Sequence, residues 1–117
     1  MKRTFRILIA DDDQLARWAT RAKLSEHSHL TIDEVDSAED ALTMVNGKQY
    51  DLVLLDIGFP GMGGVEALTQ LMSSHPGLKV IMITAEESDD ITLGCLAQGA
   101  FDYLRKPVDL DTIEAAV

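Results

Sequence analysis

The sequence predicts an α/β domain built on a doubly wound, five-stranded parallel sheet with helices on both faces. Five short runs rich in apolar and β-branched residues recur along the chain, and stretches with helical spacing separate them. Three of the runs lack alternation between apolar and polar residues, which is typical of strands buried on both faces. The runs are FRILIA (5–10), LTIDEV (30–35), DLVLLD (51–56), KVIMIT (79–84) and FDYL (101–104).

Each interval after a strand carries the apolar spacing of a helix. We expect Ser37 to be the N-cap of the second helix, with Asp40 at the capping-box position, and Asp109 to cap the fifth. Residues 75–77 end the third helix, and Gln98-Gly99 ends the fourth. The apolar positions are Leu15, Ala19, Ala22 and Leu24 in the first helix, Ala38, Ala41, Leu42 and Val45 in the second, Val65, Leu68, Leu71 and Met72 in the third, Ile91, Leu93, Leu96 and Ala97 in the fourth, and Leu110, Ile113 and Ala116 in the fifth.

The length fits a single domain over residues 1–117. A chain of this size can bury roughly two-thirds of its unfolded surface in one core, and no repeat, low-complexity tract or linker divides it. The last predicted helix has barely two turns before Val117. We therefore expect this helix to be truncated, and any output domain to lie outside these residues.

Charge and cysteine content narrow the function classes. Twenty acidic and ten basic residues give a formal net charge of −10, whereas domains that bind nucleic acid normally carry a basic face. We expect no direct contact with nucleic acid, and no membrane contact, because the first apolar stretch is too short for a signal peptide or a span. The single cysteine, Cys95, excludes an intramolecular disulfide and favours core packing in a reducing, cytoplasmic compartment.

Polar side chains follow the predicted strands at the edge where open α/β sheets bind ligands. Residues 11–13 are three adjacent aspartates, strand three ends in Asp56, strand four ends in Thr84, and strand five leads to Lys106. Clustered carboxylates are costly unless a cation accompanies them, and Mg²⁺ prefers such oxygen ligands. Phosphoryl transfer needs a nucleophile, a metal ion and fixed positive charge. Asp56 could be the phosphoryl acceptor, Lys106 the fixed charge and Thr84 a hydrogen-bond donor.

Four segments, taken in order and with their spacing, resemble the receiver domain of two-component response regulators. They are ILIADDD, LVLLDIGFPGMGG, VIMITAEES and AFDYLRKPVD, and the match spans almost the whole chain. The resemblance implies a flavodoxin-like sheet with strand order 2-1-3-4-5. It also implies a phosphoacceptor module that takes a phosphoryl group from a histidine of a sensor kinase.

The resemblance implies roles for individual residues. Asp11 and Asp12 look like the acidic pair that binds Mg²⁺, together with Asp56 and the carbonyl of Gly58. Asp56 looks like the phosphorylated aspartate. The resemblance therefore implies a Mg²⁺ cofactor bound beside the nucleophile.

A conformational switch is also implied. Thr84 looks like the switch hydroxyl, Tyr103 like the switch aromatic, and Lys106 like the lysine that contacts the phosphoryl group. We expect a cis peptide bond before Pro107 to aim this lysine inward, and Glu86 resembles a position that tunes dephosphorylation. The surface of helix four, strand five and helix five would then change its partner, which could be an output domain, a second copy in a homodimer or another protein.

Simpler interpretations exist for most of these residues. Acidic residues 11–13 favour any helix N-terminus, and we expect Asp13 to be an N-cap rather than a ligand. Thr84 is an ordinary strand residue, Tyr103 could simply pack with its hydroxyl at the surface, and Lys106 could be a surface lysine.

Arg17 and Trp18 are expected on an exposed face of the first helix. A kinase partner could contact this face, although a single surface aromatic residue needs no special explanation.

Two other functions are alternatives. A phosphatase of the haloacid-dehalogenase type would use Asp11 as nucleophile and Asp13 as second acid, but Gln14-Leu15 replaces the usual turn and Asp56 would have no role. A flavin-binding module needs a loop that accepts phosphate after strand one, and the loop DDDQL would repel it. We therefore favour a protein that catalyses only its own phosphorylation and dephosphorylation, and that is otherwise no enzyme.

Overall fold

Five parallel strands form one sheet in the order β2-β1-β3-β4-β5. The computed structural model describes residues 5–26, 29–59, 62–84, 89–106, 111 and 113. The strands are β1 (Phe5–Ala10), β2 (Leu30–Val35), β3 (Leu52–Asp56), β4 (Lys79–Thr84) and β5 (Asp102–Arg105), and the helices are α1 (Gln14–Leu24), α2 (Ala38–Gly47), α3 (Gly64–Ser74) and α4 (Asp89–Ala97).

This topology confirms the predicted fold class and strand order. Strand β1 pairs with β2 on one side and β3 on the other, so that Ile7 lies beside both Ile32 and Leu52. Strands β1, β2 and β4 have the predicted bounds, whereas β3 begins one residue later and β5 lies one residue further along the chain. The apolar runs therefore located the strands because burial on both faces leaves few polar positions.

The sheet separates two apolar clusters. One cluster lies on the face covered by α2, α3 and α4 and includes Leu55, Leu68 and Met82. The other lies on the face of α1 and includes Ile9 and Leu54. Residues of β1, β3 and β4 are fully buried in these clusters, so the ends of β1, β3 and β4 at the carboxyl edge rest on a packed core.

Two helix N-termini are capped as predicted. The Ser37 hydroxyl accepts a hydrogen bond from the Asp40 amide at 3.1 Å. The Asp13 carboxylate accepts from the amides of Leu15 and Ala16 at 3.0 and 3.2 Å, which makes Asp13 the N-cap of α1. Both caps satisfy backbone donors that would otherwise lack partners.

Helices α1 and α4 form where predicted, but most of the apolar residues that indicated them point to solvent. Leu15 is 73% exposed and Leu93 is 66% exposed, and the exposed set also includes Ala19, Ala22, Ile91, Leu96 and Ala97. Within the described part of α1 only Leu24 is buried, and in α4 Cys95 is buried, as predicted. Among the helices described, none has both the length and the hydropathy needed to cross a membrane.

The predicted fifth helix is described at two residues. Asp111 and Ile113 are helical, and Ile113 is buried against the second apolar cluster. The proposed cap Asp109 lies outside the described residues, as do Glu86 and Pro107.

Candidate functional site

The carboxyl edge of the sheet brings the predicted acidic residues together. Asp11 follows β1 and Asp56 ends β3, and these two strands are direct neighbours in the sheet. One carboxylate oxygen from each of Asp11, Asp12 and Asp56 lies within 4.8 Å of the others. Asp11 and Asp56 are buried, with exposures of 1% and 5%, whereas Asp12 is exposed. The site therefore has a buried floor and one side open to solvent.

Lys106 joins the two buried carboxylates. Its Nζ lies 2.8 Å from Asp11 Oδ2 and 3.4 Å from Asp56 Oδ2. The backbone amide of Lys106 donates to the Thr84 carbonyl at 2.8 Å, which ties the end of β5 to the end of β4. The interpretation of Lys106 as a surface lysine is therefore wrong.

Thr84 and Gly58 lie around the same carboxylate. Asp56 pairs with Ile83 across the sheet, so the buried Thr84 directly follows the partner of Asp56. The Gly58 amide donates to Asp56 Oδ1 at 3.2 Å. The role of the Gly58 carbonyl and that of the Thr84 hydroxyl stay predictions.

Burial and a neighbouring acid perturb the two charged groups at the centre of the site. Burial, followed by the hydrogen bond and charge of Asp11, raises the pKa of Asp56 to about 6, against the lowering effect of Gly58 and Lys106. Burial alone would lower the pKa of Lys106, but Asp11 and Asp56 outweigh it and raise the pKa above its usual value. Two carboxylates sharing one ammonium group thus remain short of positive charge.

This donor set fits a hard divalent cation. The site combines three carboxylates with one lysine, which contacts two of them, so the fully ionised cluster carries a net charge of −2. Oxygen atoms are the ligands that Mg²⁺ selects. The exposed carboxylate of Asp12 leaves a route from solvent to the buried pair. Asp11, Asp12 and Asp56 could therefore hold a metal ion.

Comparison with known proteins identifies the family. The family model of the response regulator receiver domain matches residues 7–117. The chain belongs to this family. It is thus the receiver domain of a two-component response regulator, rather than a conventional enzyme.

Relatives of the receiver domain include longer regulators. This chain is 37% identical over 111 residues to the DNA-binding transcriptional regulator NtrC of Salmonella typhimurium, with 95% of this chain and 24% of NtrC covered. It is 34% identical to the response regulator GacA of Pseudomonas viridiflava, with 96% of this chain and 53% of GacA covered. The chain therefore spans between about a quarter and a half of these relatives.

Solved structures share the fold of the receiver domain. A CheY-like receiver domain protein from Methanospirillum hungatei is 32% identical, with a TM-score of 0.86 and coverage of 95% of this chain and 89% of that one. The receiver domain of the putative response regulator NarL from Mycobacterium tuberculosis is 26% identical, with a TM-score of 0.88 and 98% of each chain covered.

The predicted switch aromatic lies apart from the acidic site. Tyr103 pairs with Met82 across the sheet, and its half-buried ring packs against the apolar cluster under α2, α3 and α4. This placement fits ordinary packing as well as a switch. The role of Tyr103 stays a prediction.

Two residues that shape the site were missed by sequence reasoning. Arg17 was expected to be exposed, but its side chain is only 16% exposed and its Nη1 donates to the Asp11 carbonyl at 2.6 Å. No residue pattern indicates this contact, because its acceptor is a backbone atom that every residue has. Trp18, the next residue, is exposed as expected.

Gly64 is the second missed residue. A Cβ atom at this position would lie 2.1 Å from the Asp56 carbonyl oxygen and 2.6 Å from the Ile57 Cα. Only glycine therefore lets α3 begin so close to the end of β3. The Gly63-Gly64 pair before a helical stretch was the available indication.

Proposed function

We propose that Asp56 accepts a phosphoryl group from a histidine of a sensor kinase. A carboxylate oxygen of Asp56 attacks the phosphorus atom, the bond from phosphorus to the imidazole nitrogen breaks, and the imidazole leaves. With a pKa of about 6, most Asp56 is ionised at neutral pH and can act as the nucleophile. The observation that carries the proposal is the buried Asp56 carboxylate in contact with both a lysine and a second acid.

Mg²⁺ is the metal ion in this proposal. Asp11, Asp12 and Asp56, with the carbonyl of Gly58, would hold it. When bound, Mg²⁺ supplies positive charge that offsets the negative charge of the phosphoryl oxygens. Asp12 is the exposed member of the acidic cluster, which supports entry of the ion from solvent.

Lys106 and Thr84 would respond to the new charge. The Lys106 ammonium group lies beside Asp56 and could transfer a hydrogen bond from the carboxylates to a phosphoryl oxygen. The Thr84 hydroxyl would donate a second hydrogen bond. Movement of Thr84 would leave space for Tyr103, and the surface of α4, β5 and the fifth helix would change its preferred partner.

The partners follow from the family. A sensor histidine kinase would supply the phosphoryl group, and an output domain in a longer protein, or a homodimer mate, would bind the switched surface. The relatives that exceed this chain in length support residues 1–117 as one receiver domain of a larger regulator. A cytoplasmic location and the absence of nucleic acid binding by this segment stay predictions.

A phosphatase that uses Asp11 as nucleophile is not favoured. The family model that matches this chain is that of the receiver domain, and family membership argues against a phosphatase. In this proposal the only catalysis is formation and hydrolysis of the aspartyl phosphate.

Intact-mass measurement after incubation with acetyl phosphate and Mg²⁺ tests the proposal. We expect the mass of one phosphoryl group to be added, and this gain to disappear in Asp56→Asn or on chelation of the metal. Asp36→Asn, the same change at an exposed aspartate beyond β2, should be phosphorylated like the wild type. A wild-type protein without an adduct would refute the proposal, and turnover of a phosphomonoester that Asp11→Asn alone abolishes would favour the phosphatase.

A further inference from the structure

Arg17 connects the acidic loop after β1 with the edge strand β2. Its Nη1 donates to the Asp11 carbonyl at 2.6 Å, and its Nε lies 3.4 Å from Glu34 Oε1 on β2. The Asp11 amide in turn donates to the Val35 carbonyl at 3.1 Å. The backbone of Asp11 is therefore held on both its donor and its acceptor side.

The Asp11 carbonyl belongs to the peptide group that joins Asp11 to Asp12. Because a peptide group is planar, a hydrogen bond that fixes this carbonyl also fixes the direction in which the Asp12 backbone leaves. The Asp11 side chain is held separately, by the Asp13 amide and by Lys106. Asp12 is exposed, and the orientation of this peptide sets the position from which its side chain starts relative to the buried pair.

We infer that Arg17 is a positioning residue for the divalent-cation site, an inference that rests on the proposed binding of Mg²⁺. A guanidinium group has only donors and cannot itself bind the ion. By charge alone, a cation near the acids opposes Mg²⁺ binding, so removal of Arg17 would tighten it. In contrast, removal of Arg17 also removes the hydrogen bond that orients the Asp11–Asp12 peptide group, and this loss would weaken Mg²⁺ binding. The two effects have opposite signs.

Arg21 provides a matched control on the same helix. Its Nη1 lies 2.8 Å from Glu34 Oε2 and donates to the Ile32 carbonyl at 3.2 Å. Arg21 thus shares with Arg17 its charge, its helix and its ion-pair partner, but its contacts are with β2. A difference between the two variants isolates the contact with Asp11.

Titration calorimetry with Mg²⁺ on Arg17→Met, Arg17→Lys and Arg21→Met tests the inference at neutral pH. Loss of an outer partner of a metal ligand typically weakens binding by 10- to 100-fold, and we expect roughly 10-fold for Arg17→Met. Arg17→Lys keeps the charge but lacks the planar guanidinium that reaches the Asp11 carbonyl while it lies beside Glu34, so we expect an intermediate affinity. Arg21→Met should stay within about twofold of wild type, as for a screened surface charge.

The outcomes separate this inference from the function on which it rests. Arg17→Met binding as tightly as wild type, or more tightly, would overturn the positioning role while Mg²⁺ binding stands. A lower free energy of unfolding in urea with unchanged affinity would make Arg17 purely structural and overturn it as well. If Arg17→Met does not fold, Arg17→Lys decides at constant charge. A wild-type protein that does not bind Mg²⁺ would refute both proposals.

Discussion

Two aspartates on different strands, Asp56 and Asp33, experience opposite environments. Asp33 lies on β2, where its Oδ2 accepts a hydrogen bond from the Tyr50 hydroxyl at 2.5 Å and lies 3.5 Å from Lys48 Nζ. The hydrogen bond from Tyr50 lowers the pKa of Asp33 despite its partial burial. At the carboxyl edge, burial and Asp11 raise the pKa of Asp56 to about 6. The same side chain is stabilised as a charge at one place and destabilised at the other.

The contrast shows that the ionised carboxylate of Asp56 destabilises the folded protein, whereas that of Asp33 stabilises it. Asp33 has a neutral donor and a cation to itself, so ionisation favours the folded state. Asp56 shares Lys106 with a second carboxylate, so ionisation disfavours the folded state until more positive charge arrives. The carboxyl edge is thus complementary to a bound cation, whereas the Asp33 flank is already complete in the protein alone.

The largest expected effect on the free energy of unfolding comes from Gly64→Ala. This variant tests whether close packing of α3 against β3 holds Asp56 in its buried position. Gly64→Ala places a methyl group 2.1 Å from the Asp56 carbonyl oxygen, and relief requires the start of α3 to move away from β3. We expect the free energy of unfolding in urea to fall by about 3 kcal/mol, near the upper end for overpacking. Gly63→Ala meets no atom within 4 Å and should be near neutral. Equal effects at both glycines would show that close packing is not the cause.

The second prediction is a mutation that raises the free energy of unfolding, whereas most mutations lower it. Asp56→Asn removes a buried charge that lies beside Asp11, so we expect it to stabilise the metal-free protein by about 1–2 kcal/mol at pH 7. A raised pKa means that the folded protein holds the proton more tightly, so wild-type stability from this group falls as pH rises from about 4 to about 6. The gain should shrink when urea denaturation with a chelator is repeated at pH 5. Destabilisation at both pH values would contradict the contrast with Asp33.

The smallest expected effect is at the Asp33 flank. Tyr50→Phe removes the hydroxyl donor and should lower the free energy of unfolding by about 1 kcal/mol. Because the pKa of Asp33 lies below its usual value, its contribution is present at neutral pH and is lost as pH falls below about 4. Lys48→Met, which removes an exposed partner, should cost only a few tenths of a kcal/mol. A Tyr50→Phe effect of the same size in acid would show that the charge of Asp33 is not involved.

Local patterns predicted most of the fold and much of the site. Doubly buried strands leave uninterrupted apolar runs, and the cap residues Ser37 and Asp13 satisfy donors within three residues of themselves. The meeting of Asp11 with Asp56 followed from the rule that parallel strands present their carboxyl ends at one edge, together with the strand order that the family resemblance implied. The positions of the strands and of the two caps needed no knowledge of distant packing.

Predictions failed where the partner is distant in the sequence or is a backbone atom. Arginine on a helix is usually exposed, but Arg17 donates a hydrogen bond to the Asp11 carbonyl and forms an ion pair with Glu34 on β2. In α4, apolar side chains such as Leu93 face solvent while Cys95 is buried. Spacing of apolar residues indicates that a helix exists, but the face it buries depends on which neighbour it meets.

The groups around Asp56 come from chain segments as far apart as residues 11 and 106, and β1, β3, β4 and β5 must all pair before Lys106 reaches the acids. A nascent chain released before its final strand, or a molecule nicked and partly unravelled, would lack the ammonium group that neutralises the carboxylates. If Asp56 accepts a phosphoryl group as we propose, only intact, fully folded copies can do so. The acidic site is thus complete only after β5, the last strand in the sequence, has joined the sheet.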